Sequence, residues 1–219
     1  FQNRASFNEN LSGWDVSNVT SMERMFASAV TFNQPIGNWD VSSVANMYCM
    51  FHTAAAFNQP IGDWNVSSVT NMNWMLQNTS AFNQPIGNWN VSAVLEMKGM
   101  FQSATNFNQN IGNWNTSNVT NMWDMFRGTS LFNQDIGNWD TSAVVTMREM
   151  FYNATAFNQD VGDWNVSDVT NMANMFHNAT ALSPTNKGEI QKSFAINPNW
   201  PYDWSEFVVY EPITDANFQ

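Results

Sequence analysis

The sequence is short of charge, above all positive charge: 7 Lys and Arg stand against 18 Asp and Glu, a net charge of −11. With no Lys/Arg cluster to neutralise phosphates, no nucleic-acid partner is expected. Cysteine is nearly absent. Cys49 stands alone, so an internal disulfide is excluded and the redox compartment stays unread. No apolar run reaches the about 18 residues needed to cross a bilayer, so membrane insertion by this segment is not expected. No secretory signal peptide is visible either, and any export signal or anchor is expected outside the segment. Histidine is represented only by His52 and His177. An acidic, lysine-poor chain suits an extracellular setting.

What is abundant is repetition. Phe7, Phe32, Phe57, Phe82, Phe107, Phe132 and Phe157, then Leu182, recur every 25 residues, and Trp14, Trp39, Trp64, Trp89, Trp114, Trp139 and Trp164 keep the same period. No insertion breaks the register. A fixed period of roughly 20 to 50 residues marks repeats that bury their apolar faces only by stacking.

Within one copy the apolar residues form two groups. Ile36, Trp39 and Val41 lie in a short segment with alternation at its end, which reads as one rung of a parallel sheet. Met47, Met50, Phe51 and Ala54 follow i, i+3, i+4, i+7, the spacing of one helix face, and Thr20, Thr70, Thr120 and Thr170 precede that group as candidate N-caps. All 14 methionines fall in this second group, which reads as core packing rather than copper ligation. Glycines at Gly37, Gly62, Gly87, Gly112, Gly137 and Gly162 suit a bend. Asn8, Asn33, Asn58, Asn83, Asn108, Asn133 and Asn158 read as a stacked amide ladder bonded to loop backbone.

The expected fold is therefore an α/β repeat: a leucine-rich-repeat-like solenoid of about seven 25-residue strand-helix turns with a C-terminal helical cap. Residues 1–6 read as part of a preceding repeat, 7–181 as the seven-repeat array, 182–209 as the cap and 210–219 as a linker toward a further array. In the cap, Ser183 is the expected N-cap and Pro184 the first helical residue, with Trp200, Trp204 and Phe207 covering the last rung.

The motif Phe-Asn-Gln-x-Ile-Gly-x-Trp-(Asp/Asn)-Val-Ser-x-Val-Thr-x-Met-x-x-Met-Phe, read at Phe57–Leu76 and Phe157–Phe176, resembles the 25-residue lipoprotein-type repeat of the BspA-like leucine-rich-repeat surface proteins. The closing Asn197-Pro-Asn-Trp-Pro-Tyr-Asp-Trp-Ser205 is similar to that family's terminal segment, and Ile213–Gln219 to the entry of another array. The resemblance implies a secreted or surface-anchored protein, often assigned to adhesion, without catalytic motif or named ligand. Leu76, Thr116 and Thr141 depart from the pattern and are expected to change packing only.

Candidate sites follow from the columns. If Trp and Val point inward, Asp15, Asp40, Asn65, Asn90, Asn115, Asp140 and Asn165 form one outward line, and the serines that include Ser42, Ser67 and Ser92 form the next. This face is either a ligand surface for a glycan or protein, or a solvated face held by side-chain ladders. Like charges stacked at Asp135 and Asp160 are relieved either by a bound Ca²⁺ or by solvent; no other cofactor is expected. The columns that vary between copies carry Tyr48, Trp74, Trp123 and, nearby, Tyr152, which read either as partner anchors or as relaxed positions. With the two histidines five turns apart, no catalytic constellation assembles and no enzyme is expected. The expected function is extracellular surface adhesion or recognition of a glycan, a protein or an extended surface through the polar strand face, with neighbouring arrays of the same polypeptide as further contacts. The alternative is a structural spacer rod without a specific ligand.

Overall fold

The computed structural model describes residues 1–210. Among these the sole α-helix, α1, spans Pro184–Phe194, followed by a single 3-10 turn at Ser205–Phe207. The strand-helix, leucine-rich-repeat-like α/β solenoid is therefore overturned: the copies contain neither a strand nor a helix. Their only sheet-like feature is a file of isolated parallel bridges one residue wide, Ser21 to Asn46, Asn46 to Asn71 and onward to Asn171.

Each copy is instead a string of tight turns. In the second copy the N–H groups of Trp39, Val44, Met50, Ala54 and Phe57 donate to the carbonyls three residues earlier, at Ile36, Val41, Met47, Phe51 and Ala54. The first and last residues of every one of these turns are buried. A chain of four-residue turns thus places apolar side chains inward at i, i+3, i+4 and i+7, the same spacing as one helix face. That degeneracy misdirects the sequence reading, and the backbone shows what excludes a helix. Two residues per copy, four apart, hold positive φ, as at Cys49 (φ 53°) and Thr53 (φ 60°) or Trp74 (φ 53°) and Asn78 (φ 55°). Left-handed residues interrupt a right-handed helix.

Those same residues tie the copies together. The N–H of Arg24 donates to Tyr48 O (2.9 Å), Phe26 to Met50 O (2.8 Å) and Ser28 to His52 O (2.7 Å), alternating with the turn bonds. The threonines proposed as caps serve the stack instead: Thr120 Oγ1 donates to Leu95 O (3.1 Å) and Thr170 Oγ1 to Val145 O (3.1 Å), each one copy back.

Aromatic side chains fill the interior in register. Phe26 and Phe32 stack at 3.9 Å where the first copy joins the second, and each meets its counterpart 25 residues on, Phe51 at 5.5 Å and Phe57 at 6.0 Å. Offset stacks contribute about 0.5–1.5 kcal/mol each beyond the area they bury. Leu76 breaks the first ladder without leaving the core. Thr116 and Thr141, expected to alter packing only, send buried hydroxyls to Asp140 O (2.8 Å) and Asn165 O (2.9 Å) of the following copy. The six core indoles from Trp39 to Trp164 also donate one copy back, as Trp64 to Ile36 O (3.2 Å) and Trp89 to Ile61 O (3.0 Å).

The asparagine ladder forms as the sequence suggests. Asn83 Oδ1 accepts the backbone N–H of Asn108 (3.0 Å) and the Gln109 amide (2.9 Å), and the pattern repeats from copy to copy. The glycines sit in the expected bend, the Ile36–Trp39 turn and its equivalents, and have a second reason besides. None of Gly37 to Gly162 in that column needs positive φ. A Cβ on Gly37 lies 2.3 Å from Pro60 O, and on Gly87 2.4 Å from Asn110 O, so the next copy's carbonyl passes where a side chain belongs.

At the C-terminal end the cap continues the ladder's bonding. Ser183 N and Asn186 Nδ2 supply the two donors that Asn158 Oδ1 needs (2.8 and 2.9 Å), while the Ser183 side chain caps α1 by accepting from Asn186 N. Asn197 Nδ2 reaches Val166 O and Val169 O (2.6 and 2.9 Å) in the last copy. Trp200 and Trp204 close over Phe176 as expected, joined by Tyr202, whose hydroxyl accepts the Phe176 N–H at 2.8 Å. Phe207 contacts α1 instead, its carbonyl lying against Gly188. Of the expected linker 210–219, residues 211–219 lie outside the described residues.

Candidate functional site

The polar line is exposed along its whole length at Asp15, Asp40, Asn65, Asn90, Asn115, Asp140 and Asn165. It sits on turns rather than strands, and each member has a local task. Asp40 Oδ1 accepts the N–H of Ser42 (3.0 Å), Asn65 that of Ser67 (3.2 Å) and Asn90 that of Ser92 (3.1 Å). These are Asx turns, in which a short side chain replaces a backbone acceptor. The Ser42 hydroxyl and N–H hold the Asp40 carboxyl below the usual carboxylate range, and Ser17 does the same for Asp15.

The calcium candidates have the same occupation. Asp135 Oδ1 accepts Gly137 N (3.0 Å) and Asp160 Oδ1 accepts Gly162 N (2.8 Å), where earlier copies carry Pro60 and Pro85. Among the described residues no group of three His, Cys, Asp or Glu side chains is gathered to hold a metal ion.

The variable columns are built differently. They occupy the turns around the first left-handed residue of each copy and the position three or four residues on, where the fold asks little of the side chain. All four cations of residues 7–181, namely Arg24, Lys98, Arg127 and Arg148, lie here among the aromatics. Lys98 Nζ sits 3.6 Å from the Trp123 ring centre and 4.7 Å from that of Trp74. Arg127 lies 4.7 Å over Tyr152, which stacks at 4.8 Å on His177. Trp74 lies across Gly99 of the next copy, whose Cβ would meet its Cδ1 at 2.5 Å. Tyr48 meets Trp74 edge to face at 5.5 Å.

Beneath these rings Glu149 is buried and pairs with Arg148 (2.9 Å) and Arg127. Asp124, also buried, leaves Oδ1 without a hydrogen bond, and burial pushes its carboxyl above the usual range against the pull of Arg127 at 3.5 Å. The four predicted aromatics are thus brought onto one face and held half-buried there. From the column of His52, Gln77, Gln102, Arg127 and Tyr152, sequence reasoning took only Tyr152 as a candidate. The column's signal was present: it varies as freely as the pair three residues before it.

Opposite signs are distributed unevenly. The four cations are matched by Glu23, Glu96, Asp124 and Glu149 on the variable side, whereas the polar lines and the loops beside them carry aspartates without any base. The excess negative charge of the array therefore lies away from the aromatic face.

Across residues 1–112 and again across 81–188 the chain matches the family described as Mycoplasma protein of unknown function, DUF285. No curated protein matches it. Since the two matches together run through every copy of the 25-residue repeat, the chain belongs to the DUF285 family.

Proposed function

We propose that this chain is a non-enzymatic adhesion or recognition module acting outside the cell, and that it meets its partner with the variable aromatic and basic face. One observation carries the reading: the invariant polar columns are engaged in building turns, while the variable columns hold half-buried rings and cations that differ from copy to copy. Selective contact requires variation of this kind, and aromatic and arginine side chains are the usual anchors of such contacts. The resemblance of the repeat to BspA-like surface proteins supports a place at the cell surface. An extracellular glycan or protein is the partner class, and the excess of acidic groups on the other flank steers negatively charged partners toward the aromatic face.

The test is a panel of matrix proteins and glycans presented to the intact chain. The doubly substituted Lys98→Ala, Trp123→Ala protein is expected to lose a positive signal by about tenfold or more. Replacing Asp40, Asn65, Asn90 and Asn115 together by alanine has the smaller effect on binding. The opposite ranking moves the contact to the polar line, and the absence of any binder favours the spacer rod.

A further inference from the structure

On the variable face of the first three copies the side chains draw back into a groove of about 350 Å³, within the roughly 300–1,000 Å³ typical of small-molecule sites. Tyr48 and Trp74 wall it with rings set at 90° to each other. Arg24 stands at one side with its guanidinium 5.2 Å from the Tyr48 ring centre, and its only carboxylate neighbour among the described residues, Glu23, is a loose and exposed partner at 3.9 Å. His52 and Gln77 add polar groups to the wall. Burial, followed by the nearby Arg24 charge, pulls the His52 imidazole below its usual range, so at neutral pH it presents one donor and one acceptor nitrogen. The groove differs from the other cation sites on this face: Arg127 and Arg148 are closed by Glu149, and Lys98 is covered by Trp74 and Trp123.

We infer that this groove is a subsite for a carboxylate-bearing pyranose, a uronic or sialic acid residue within a glycan. Each part of that ligand has a counterpart. The C–H face of a pyranose packs on an aromatic ring, its hydroxyls need groups that both donate and accept, and its carboxylate matches a guanidinium fork. A plain apolar ligand leaves Arg24, His52 and Gln77 unused, and a bare anion leaves the rings unused. The inference deepens the recognition reading above and rests on the same face, while naming one subsite and one ligand class for it.

The test is a titration of the intact chain at neutral pH with glucuronate, galacturonate and N-acetylneuraminate, followed through the side-chain NMR signals of Tyr48, His52 and Trp74. Glucose, galactose and acetate serve as controls. Binding of at least one acid sugar with Kd near or below about 1 mM is expected. Neutral sugars, which lack the charge-assisted contact, and acetate, which lacks the ring and hydroxyl contacts, each bind about tenfold or more weakly. Arg24→Gln removes the preference for the acid sugar, Trp74→Ala weakens all sugars, and Asn165→Ala on the polar line leaves binding unchanged. Matching thermal melts for the variants establish that they are folded. Shifts at none of the three residues overturn the inference, as does an acid-sugar affinity untouched by Arg24→Gln. If the titration fails while Lys98→Ala, Trp123→Ala still abolishes binding in the panel, the subsite is wrong and the recognition reading stands.

Discussion

Replacing Gly87 by alanine tests what joins one copy to the next. The added Cβ arrives 2.4 Å from the carbonyl oxygen of Asn110 and 3.5 Å from its carbon. Relief requires the oxygen to move by roughly 0.6 Å or more in an interior packed like a crystal. Little can move. The same loop is fixed by Asn108 N and Gln109 Nε2 on Asn83 (3.0 and 2.9 Å), and Ile111 follows directly with its side chain fully buried. Overpacking of this kind costs about 1–3 kcal/mol, against about 0.4–1 kcal/mol returned by the stiffer unfolded chain. The neighbouring column supplies the control: a Cβ on Gly13 meets nothing within 4 Å, so Gly13→Ala should be neutral or slightly stabilising. The approach also relaxes along the stack, from 2.3 Å at Gly37 through 2.5 Å at Gly112 to 2.9 Å at Gly137. Urea unfolding followed by tryptophan fluorescence should therefore rank Gly87→Ala as more damaging than Gly137→Ala, and Gly13→Ala as harmless. Equal midpoints for the three variants would refute the steric account and return these glycines to a role in chain flexibility.

Asn83→Ala orphans the Asn108 N–H and the Gln109 amide together, a loss of about 1–3 kcal/mol; amide exchange at Asn108 should speed up, and Asn83→Asp, which keeps an acceptor, should recover part of the protection. Thr53 is a β-branched residue at φ 60° where other copies place Asn78, Asn153 and Asn178, so Thr53→Asn should stabilise by up to about 1 kcal/mol in the same unfolding assay. Burial raises the Tyr202 hydroxyl from 10.0 to about 12. A raised folded pKa means that the protonated form is favoured in the folded state, so the cap keeps its full stability below pH 10 and loses it as pH rises toward about 12. Amide exchange or near-ultraviolet absorbance over that window should show the cap loosening, and Tyr202→Phe should remove the dependence on pH while weakening the cap at every pH.

The sequence discloses which residues are inside and conceals how the backbone carries them there. Met47, Met50, Phe51 and Ala54 are buried as the pattern requires, yet consecutive turns and a helix share that spacing. What separates them is the sign of φ at Cys49 and Thr53, and neither residue type announces a left-handed conformation. Read downward, the two columns hold the hint: Gly99 stands in that of Cys49 and Gly128 in that of Thr53, both at positive φ. The asparagine ladder was legible because one side chain, repeated without exception, has one geometry available to it. The aromatic face was legible only as a set of residues: that Lys98 lies between Trp74 and Trp123, or that Arg24 stays open while Arg148 is closed, depends on side chains from adjacent copies and not on any one copy's composition.

The flat contact between Trp74 and Gly99 bears on how such an array can be recombined. In the interior the copies offer nearly the same rings, amides and carbonyls to their neighbours, Leu76, Thr116 and Thr141 apart, so exchanging two of them changes few of the core's contacts. On the surface the order matters. Moving the third copy to stand before one with Cys49 or Glu149 at the Gly99 position sets a side chain where the indole now rests, and separating the fifth from the sixth parts Arg127 from Glu149. The grammar of this chain, the rule that says which copy can follow which, is thus written on its outside.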